Sequence, residues 1–177
     1  MASPSVPIEM TFDTSKSNDS TGACREFWMR FPGLRGASDV DTPAICYYKE
    51  NPYSEDLVVI GGLAIVTTAS GNVATDLDVG LGDDAAGTNI GAEIADGMIA
   101  ATLNTTGVKR LMAPLVLATP PVAPIWKAHG TSTDAFLSII QRGDVDASAL
   151  RWTLAIKVVP YKDLLNSNIE LGALTVA

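Results

Sequence analysis

The chain has 177 residues, enough for one domain with an appendage and for a core that needs neither disulfides nor metal. Hydrophobic residues make up 47% and charged ones only 18%, which leaves few charges to solvate a lone monomer and places much of the exterior against partners. The net charge is −8, and the stretch from Asn51 to Val108 holds eight acids and no Lys or Arg, the reverse of the clustered basic surface that direct nucleic-acid binding needs.

From the N-terminus, MASPSVPIEM lacks the basic and apolar regions of a signal peptide, so the expectation is a soluble chain made in a cytoplasm. Residues 1–54 are rich in Ser, Thr, Pro and Asp, show no sustained period, and read as an extended, largely irregular N-terminal arm. Within it Arg25, Phe27, Trp28, Arg30, Phe31, Arg35, Tyr47 and Tyr48 interleave the aromatics and arginines that protein interfaces favour. These eight are the candidate partner-contacting residues. The alternative is that the segment packs its aromatics on its own domain. Cys24 and Cys46 have no CxxC spacing, so they read as two free buried thiols.

From residue 55 to 162 the pattern is β. LVVIGGLAIVTTA (57–69) is rich in β-branched residues, with Gly61–Gly62 marking a bulge or bend. The longest apolar run, LVVIGGLAIV (57–66), is about half of the roughly 20 residues a membrane-spanning helix needs, and no membrane association is expected. SGN (70–72) signals a turn, and the alternation of Val73, Leu77, Val79 and Leu81 predicts a second strand that closes a hairpin. Asp76 and Asp78 then fall on its solvent-facing row, and Asp83–Asp84 open a loop.

Residues 89–107 are the candidate short helix, from Ile90, Ile94, Met98 and Ala101 at helical spacing, with Gly97 against it. Four prolines between 114 and 124 indicate loops and edge strands. DAFLSIIQRG (134–143) reads as a strand. ALRWTLAIKVVPY (149–161) alternates cleanly, with Leu150, Trp152, Leu154, Ile156 and Val158 inward and Arg151, Thr153, Ala155 and Lys157 outward. Residues 163–177 form an irregular tail whose apolar residues want a neighbour. The sum is a mainly β chain: an antiparallel sandwich or jelly roll with one short helix and an N-terminal arm.

The acidic segment is the place to look for chemistry. Neither Asp76 nor Asp78 starts a register with glycine at the sixth position of an EF-hand loop; a different calcium site using Asp83, Asp84 and Asn89 stays open. Two carboxylates on a wet strand face have nothing to separate their pKa values as acid–base catalysis requires. His129, the only histidine, must serve any His-dependent nucleophile, and KAHGTSTD resembles no nucleophile elbow; a cupin-type metal centre needs several histidines. GLGDDAAG lacks the GK[ST] of a phosphate loop and carries acids where phosphate would sit. No catalytic residue, metal or cofactor is assigned, and the expectation is a protein that is not an enzyme.

The run VATDLDVGLGDDAAGTNIGAEIADGMIAATLNTTGV, followed by APIWKAHGTSTDAF and LRWTLAIKVVPY, resembles the accessory β-domain proteins on tailed-bacteriophage capsids. The resemblance covers roughly residues 55–162. It implies a decoration, or cement, protein on the outside of the virion, commonly a trimer, that binds the major capsid protein and reinforces the shell through inter-subunit contacts. A second reading is a head-fibre or tail-associated carbohydrate-binding module, for which Trp126, near His129, would supply the aromatic platform.

Overall fold

The computed structural model describes residues 9–12, 26–38, 44–71, 75–86, 94–98, 103–111, 123–142 and 146–166. The strands are β1 (Glu9–Phe12), β2 (Phe27–Leu34), β3 (Ala44–Glu50), β4 (Leu57–Thr68), β5 (Leu77–Gly82), β6 (Ala95–Met98), β7 (Gly107–Arg110), β8 (Ile125–Trp126), β9 (Phe136–Gln141) and β10 (Arg151–Pro160), followed by a short helix, α1 (Tyr161–Asn166). Among the described residues no helix is long and apolar enough to cross a membrane.

All pairings are antiparallel and fall into two sheets packed together. The first runs β1-β2-β10-β4-β7, with β8 also on β4, and the second runs β3-β9-β5-β6. The pairings nest: β2 with β10, β3 with β9, β4 with β7, β5 with β6, alternately in the first sheet and the second. A chain folded back on itself and wound so that successive pairs change sheets is the jelly-roll arrangement, which leaves few exposed edges for two sheets to protect.

The core follows from period-2 patterning. In β10, Trp152, Leu154, Ile156 and Val158 are buried inward, as their alternation predicts, against Leu77, Val79, Leu81, Leu137 and Ile139 of the second sheet. Bulges keep the phase, two of them between β10 and β4 and one between β10 and β2. Lys157 pairs with Gly61 and Val158 with Val59, which leaves Ile60 as the extra residue beside the predicted Gly61–Gly62 irregularity. On β2, Trp152 pairs with Leu34 and Leu154 with Phe31, so the extra residue lies at Pro32–Gly33, where Gly33 has φ 74°.

Three expectations are corrected. Residues 27–34 and 44–50 are not an irregular arm: β2 lies inside the first sheet, and β3 pairs with β9 in the second. The sandwich therefore begins well before residue 55. Phe27, Met29 and Phe31 alternate with Trp28 and Arg30, a strand period that the consecutive aromatics and arginines obscured. The stretches at 57–69 and 73–82 do not form a hairpin, because β4 and β5 belong to different sheets and the turn at Ser70–Gly71 switches between them. Finally, residues 95–98 of the candidate helix are strand β6, with Gly97 at φ 59°. The β5–β6 register shift brings Ala95 and Met98, three residues apart, to the same buried side opposite Val79 and Leu77, while Ile94, just before the strand, is buried near Gly62 of β4 with its N–H on the Val79 carbonyl, so no shared helix face is involved. Ile90 and Ala101 lie outside the described residues.

Candidate partner interface

The eight interface candidates are split by the fold. Phe27, Phe31 and Tyr47 point into the core, where Phe31 packs against Tyr47 and Trp126 with ring centroids 5.9 and 6.4 Å apart. They hold the sheets together and cannot touch a partner. Tyr48 lies on the outer side of the second sheet against Phe136, and Arg35 is exposed beyond β2. Trp28 and Arg30 face outward from β2. Arg25 lies outside the described residues.

Around Trp28 and Arg30 the first sheet presents a continuous outer face. Thr11, Trp28, Lys157 and Gly61 form one cross-strand row, and Glu9, Arg30, Ala155, Leu63 and Arg110 the next. Thr153, Ile65 and Val108 form a third. Val108 is 64% exposed, and Trp28, Leu63 and Ile65 are half-buried, so an apolar strip crosses the sheet between basic side chains. Lys157 is tethered by an ion pair with Glu26, and Arg151 donates to the carbonyls of Ser148 and Leu150. Leu63 and Ile65 were invisible to sequence reasoning as site residues because a bulged strand hides which side of an apolar run faces out.

The opposite end of this face is already covered. Val58, Val159 and Ala123 form a small cluster with Ile60 and Tyr161, so α1 packs over the outer side of β4 and β10 at that end. Asp56 accepts from the backbone of Tyr161, and Lys162 pairs with Glu55.

The expected solvent-facing acidic row is a correction. Asp78 is 1% exposed. Its Oδ1 accepts the Gly97 N–H at 2.8 Å, and its Oδ2 pairs with the guanidinium of Arg142, whose backbone N–H donates to the Asp76 carbonyl at 2.9 Å. Asp76 Oδ1 is buried without a hydrogen-bond partner among the described residues. Burial, and then the neighbouring Asp78, raise the Asp76 pKa; Arg142 opposes them and Asp96 adds to the rise. Alternation identified the apolar side of β5 correctly, but strand β6 and the chain leaving β9 close over its other side. Among the described residues no group of three His, Cys, Asp or Glu side chains could hold a metal. Asp83 accepts the Asp134 N–H at 3.1 Å and Asp84 the Ala86 N–H at 2.9 Å; Asn89 lies outside the described residues.

Trp126 is fully buried, and its indole donates to the Ala135 carbonyl at 2.8 Å, so it is not the exposed platform that the carbohydrate-binding reading needs. Beside it Asn51, also fully buried, donates to the carbonyls of Trp126 and Lys127 at 3.0 and 2.9 Å and accepts from the Tyr53 N–H at 2.9 Å. This side chain substitutes for missing backbone partners at one end of the sandwich. Its only sequence signal is Asn before Pro52, a turn-forming pair. His129 is a turn residue 3.3 Å from Glu50. Cys46 is a free thiol, and burial pushes its pKa up to about 11. Cys24 lies outside the described residues.

Fold and surface together define a jelly-roll domain whose first sheet carries an apolar strip on its outer face, with Arg30, Arg110 and Lys157 in its rows. No family model, curated protein or solved structure matches the chain.

Proposed function

We propose that this chain is a virion structural protein, a decoration or cement protein that binds the major capsid protein on the outside of a tailed-phage head and associates with its own copies. The observation that carries the reading is the outer face of the first sheet, where Trp28, Leu63, Ile65 and Val108 lie open between Arg30, Arg110 and Lys157. An apolar strip with arginines on an open sheet face suits another protein surface, whereas small ligands favour concave sites. The jelly-roll wrap supports the reading because viral capsid domains use it, although lectins and cupins do as well.

The test is cosedimentation of the full chain with phage heads that lack it. The chain is expected to load the heads in many regular copies, and Leu63→Asp combined with Ile65→Asp is expected to abolish loading while circular dichroism stays unchanged. Absence of loading, or loading indifferent to the double substitution, rejects the proposal.

A further inference from the structure

We infer that in the free protein the outer face of the first sheet packs against the same face of a second copy, about a two-fold axis that runs along β10. The inference concerns the isolated chain and stands apart from the capsid reading: on a head, the capsid protein takes the face by displacing the second copy.

The register of the sheet carries the argument. A two-fold axis along a strand lays each cross-strand row on the same row of the second copy, in reverse strand order. With the axis on β10, β2 of one copy lies over β4 of the other, and β1 over β7. In the row of Lys157 this sets Trp28 over Gly61 of the second copy. Trp28 stands half-buried on the outer face. Gly61 has no side chain, and a Cβ placed there would meet the Lys157 Cβ at 3.5 Å and nothing else within 4 Å, whereas Gly62 faces Leu111 and Ile94 in the core. The largest side chain of the row therefore meets its lowest point, twice by symmetry.

The next row has charges of opposite sign at its two ends, Glu9 on β1 and Arg110 on β7, with Ala155 on the axis. The same axis sets the Glu9 position over Arg110 of the second copy, again twice. Arg30 falls over Leu63, where its aliphatic stem can pack. Lys157 lies on the axis and meets its symmetry mate, but each lysine carries Glu26 of its own chain as a counter-ion.

The mixed charge selects this axis among those that run along a strand. Moving it half a strand spacing toward β4 places Arg30 over Arg110 of the second copy, like charge on like. Moving it the same distance toward β2 leaves Arg110 and Val108 beyond the edge of the other sheet. Five strands at roughly 4.8 Å and three rows about 7 Å apart make a face on the order of 500 Å² per copy, about 1,000 Å² for the pair. This is the lower limit for a specific interface, so the dimer is weak, concentration-dependent and open to displacement by a better partner. Burial of Trp28, Leu63 and Ile65 drives it, and the charge pairs fix its register.

Sedimentation velocity of the full chain over a concentration series is expected to show a reversible monomer–dimer equilibrium. Arg110→Glu sets acid against acid and is expected to weaken the dimer about tenfold. Adding Glu9→Arg to it is expected to restore the parent affinity, because the pair is then exchanged and not lost. Gly61→Gln fills the place over which Trp28 sits and is expected to weaken the dimer without changing a charge. Circular dichroism should stay unchanged in all of these chains. A parent that remains monomeric, an oligomer that does not stop at two, or a loss in Arg110→Glu that the exchange fails to recover overturns the inference. If Arg110→Glu does not fold, a dimer indifferent to Gly61→Gln overturns it instead. Phage heads take no part in this measurement, so its failure leaves the capsid reading to its own cosedimentation test.

Discussion

Asp76 and Asp78 occupy adjacent outward positions of one strand end, yet their environments differ enough to give opposite expectations. Asp78 is enclosed and satisfied by the Gly97 N–H and Arg142. Asp78→Ala strands both partners, but Arg142 is 54% exposed and can rehydrate. The expected cost in urea unfolding is therefore about 1–3 kcal/mol, below that of breaking a fully enclosed pair. Asp76 behaves the other way. Its folded pKa lies above the ordinary 3.8, chiefly through desolvation, so the folded protein holds the proton more tightly than the unfolded one. The stabilising effect is complete below 3.8 and is lost as pH rises through the raised folded value. Asp76→Asn should abolish that slope and leave stability at neutral pH equal to or above that of the parent, as unfolding curves across this acidic window will show. A parent whose stability rises with pH through the Asp76 titration contradicts the assignment.

The two core tryptophans are similarly separable. The Trp126 indole N–H has a carbonyl partner, whereas that of Trp152 is buried without one among the described residues. Replacing each with Phe removes similar volume, but only Trp126→Phe also removes a hydrogen bond. Trp126→Phe is expected to be the more destabilising by about 1 kcal/mol in denaturant midpoint experiments.

At the scale of elements, β2 is the strand most misjudged from sequence and among those the sandwich needs most. Its side chains Phe27, Met29, Phe31 and Leu34 enter the core, and its backbone joins β1 to β10. The bulge at Pro32–Gly33 shifts Leu34 back into phase, and this requires Gly33 at φ 74°. A methyl group there meets nothing within 4 Å, so Gly33→Ala tests conformation alone. It should cost about 1–2 kcal/mol in thermal or urea unfolding. Removal of residues 1–40, harmless if this region were a detachable arm, deletes β2 and is expected to abolish cooperative unfolding in calorimetry.

At the scale of the whole molecule, the two sheets have unlike outer faces. The second sheet buries Asp78, Ser138 and Ile140 on its outer side, while the first exposes its apolar strip and gathers Arg30, Arg110 and Lys157 around it. In a chain of net charge −8 this gathering of Arg30, Arg110 and Lys157 is a specific feature even with Glu26 paired to Lys157 and Glu9 in register with Arg30, and association through it should weaken as salt screens the arginines. Cosedimentation across a salt series is expected to show that loss; binding indifferent to salt would leave the arginines without a role in recognition.

Alternation in β10 and β9, the Gly61–Gly62 irregularity and the shortage of charge were enough to establish a β-sandwich with Trp152 inside, because strand period and glycine geometry are local properties written in neighbouring residues. Which side of each apolar run faces the core, which strands share a sheet, and whether Asp78 meets water or Arg142 depend on residues far apart in the chain. Those outcomes were decided by the jelly-roll wrap and by its bulges, where one added residue sets which side chains face inward along the rest of a strand.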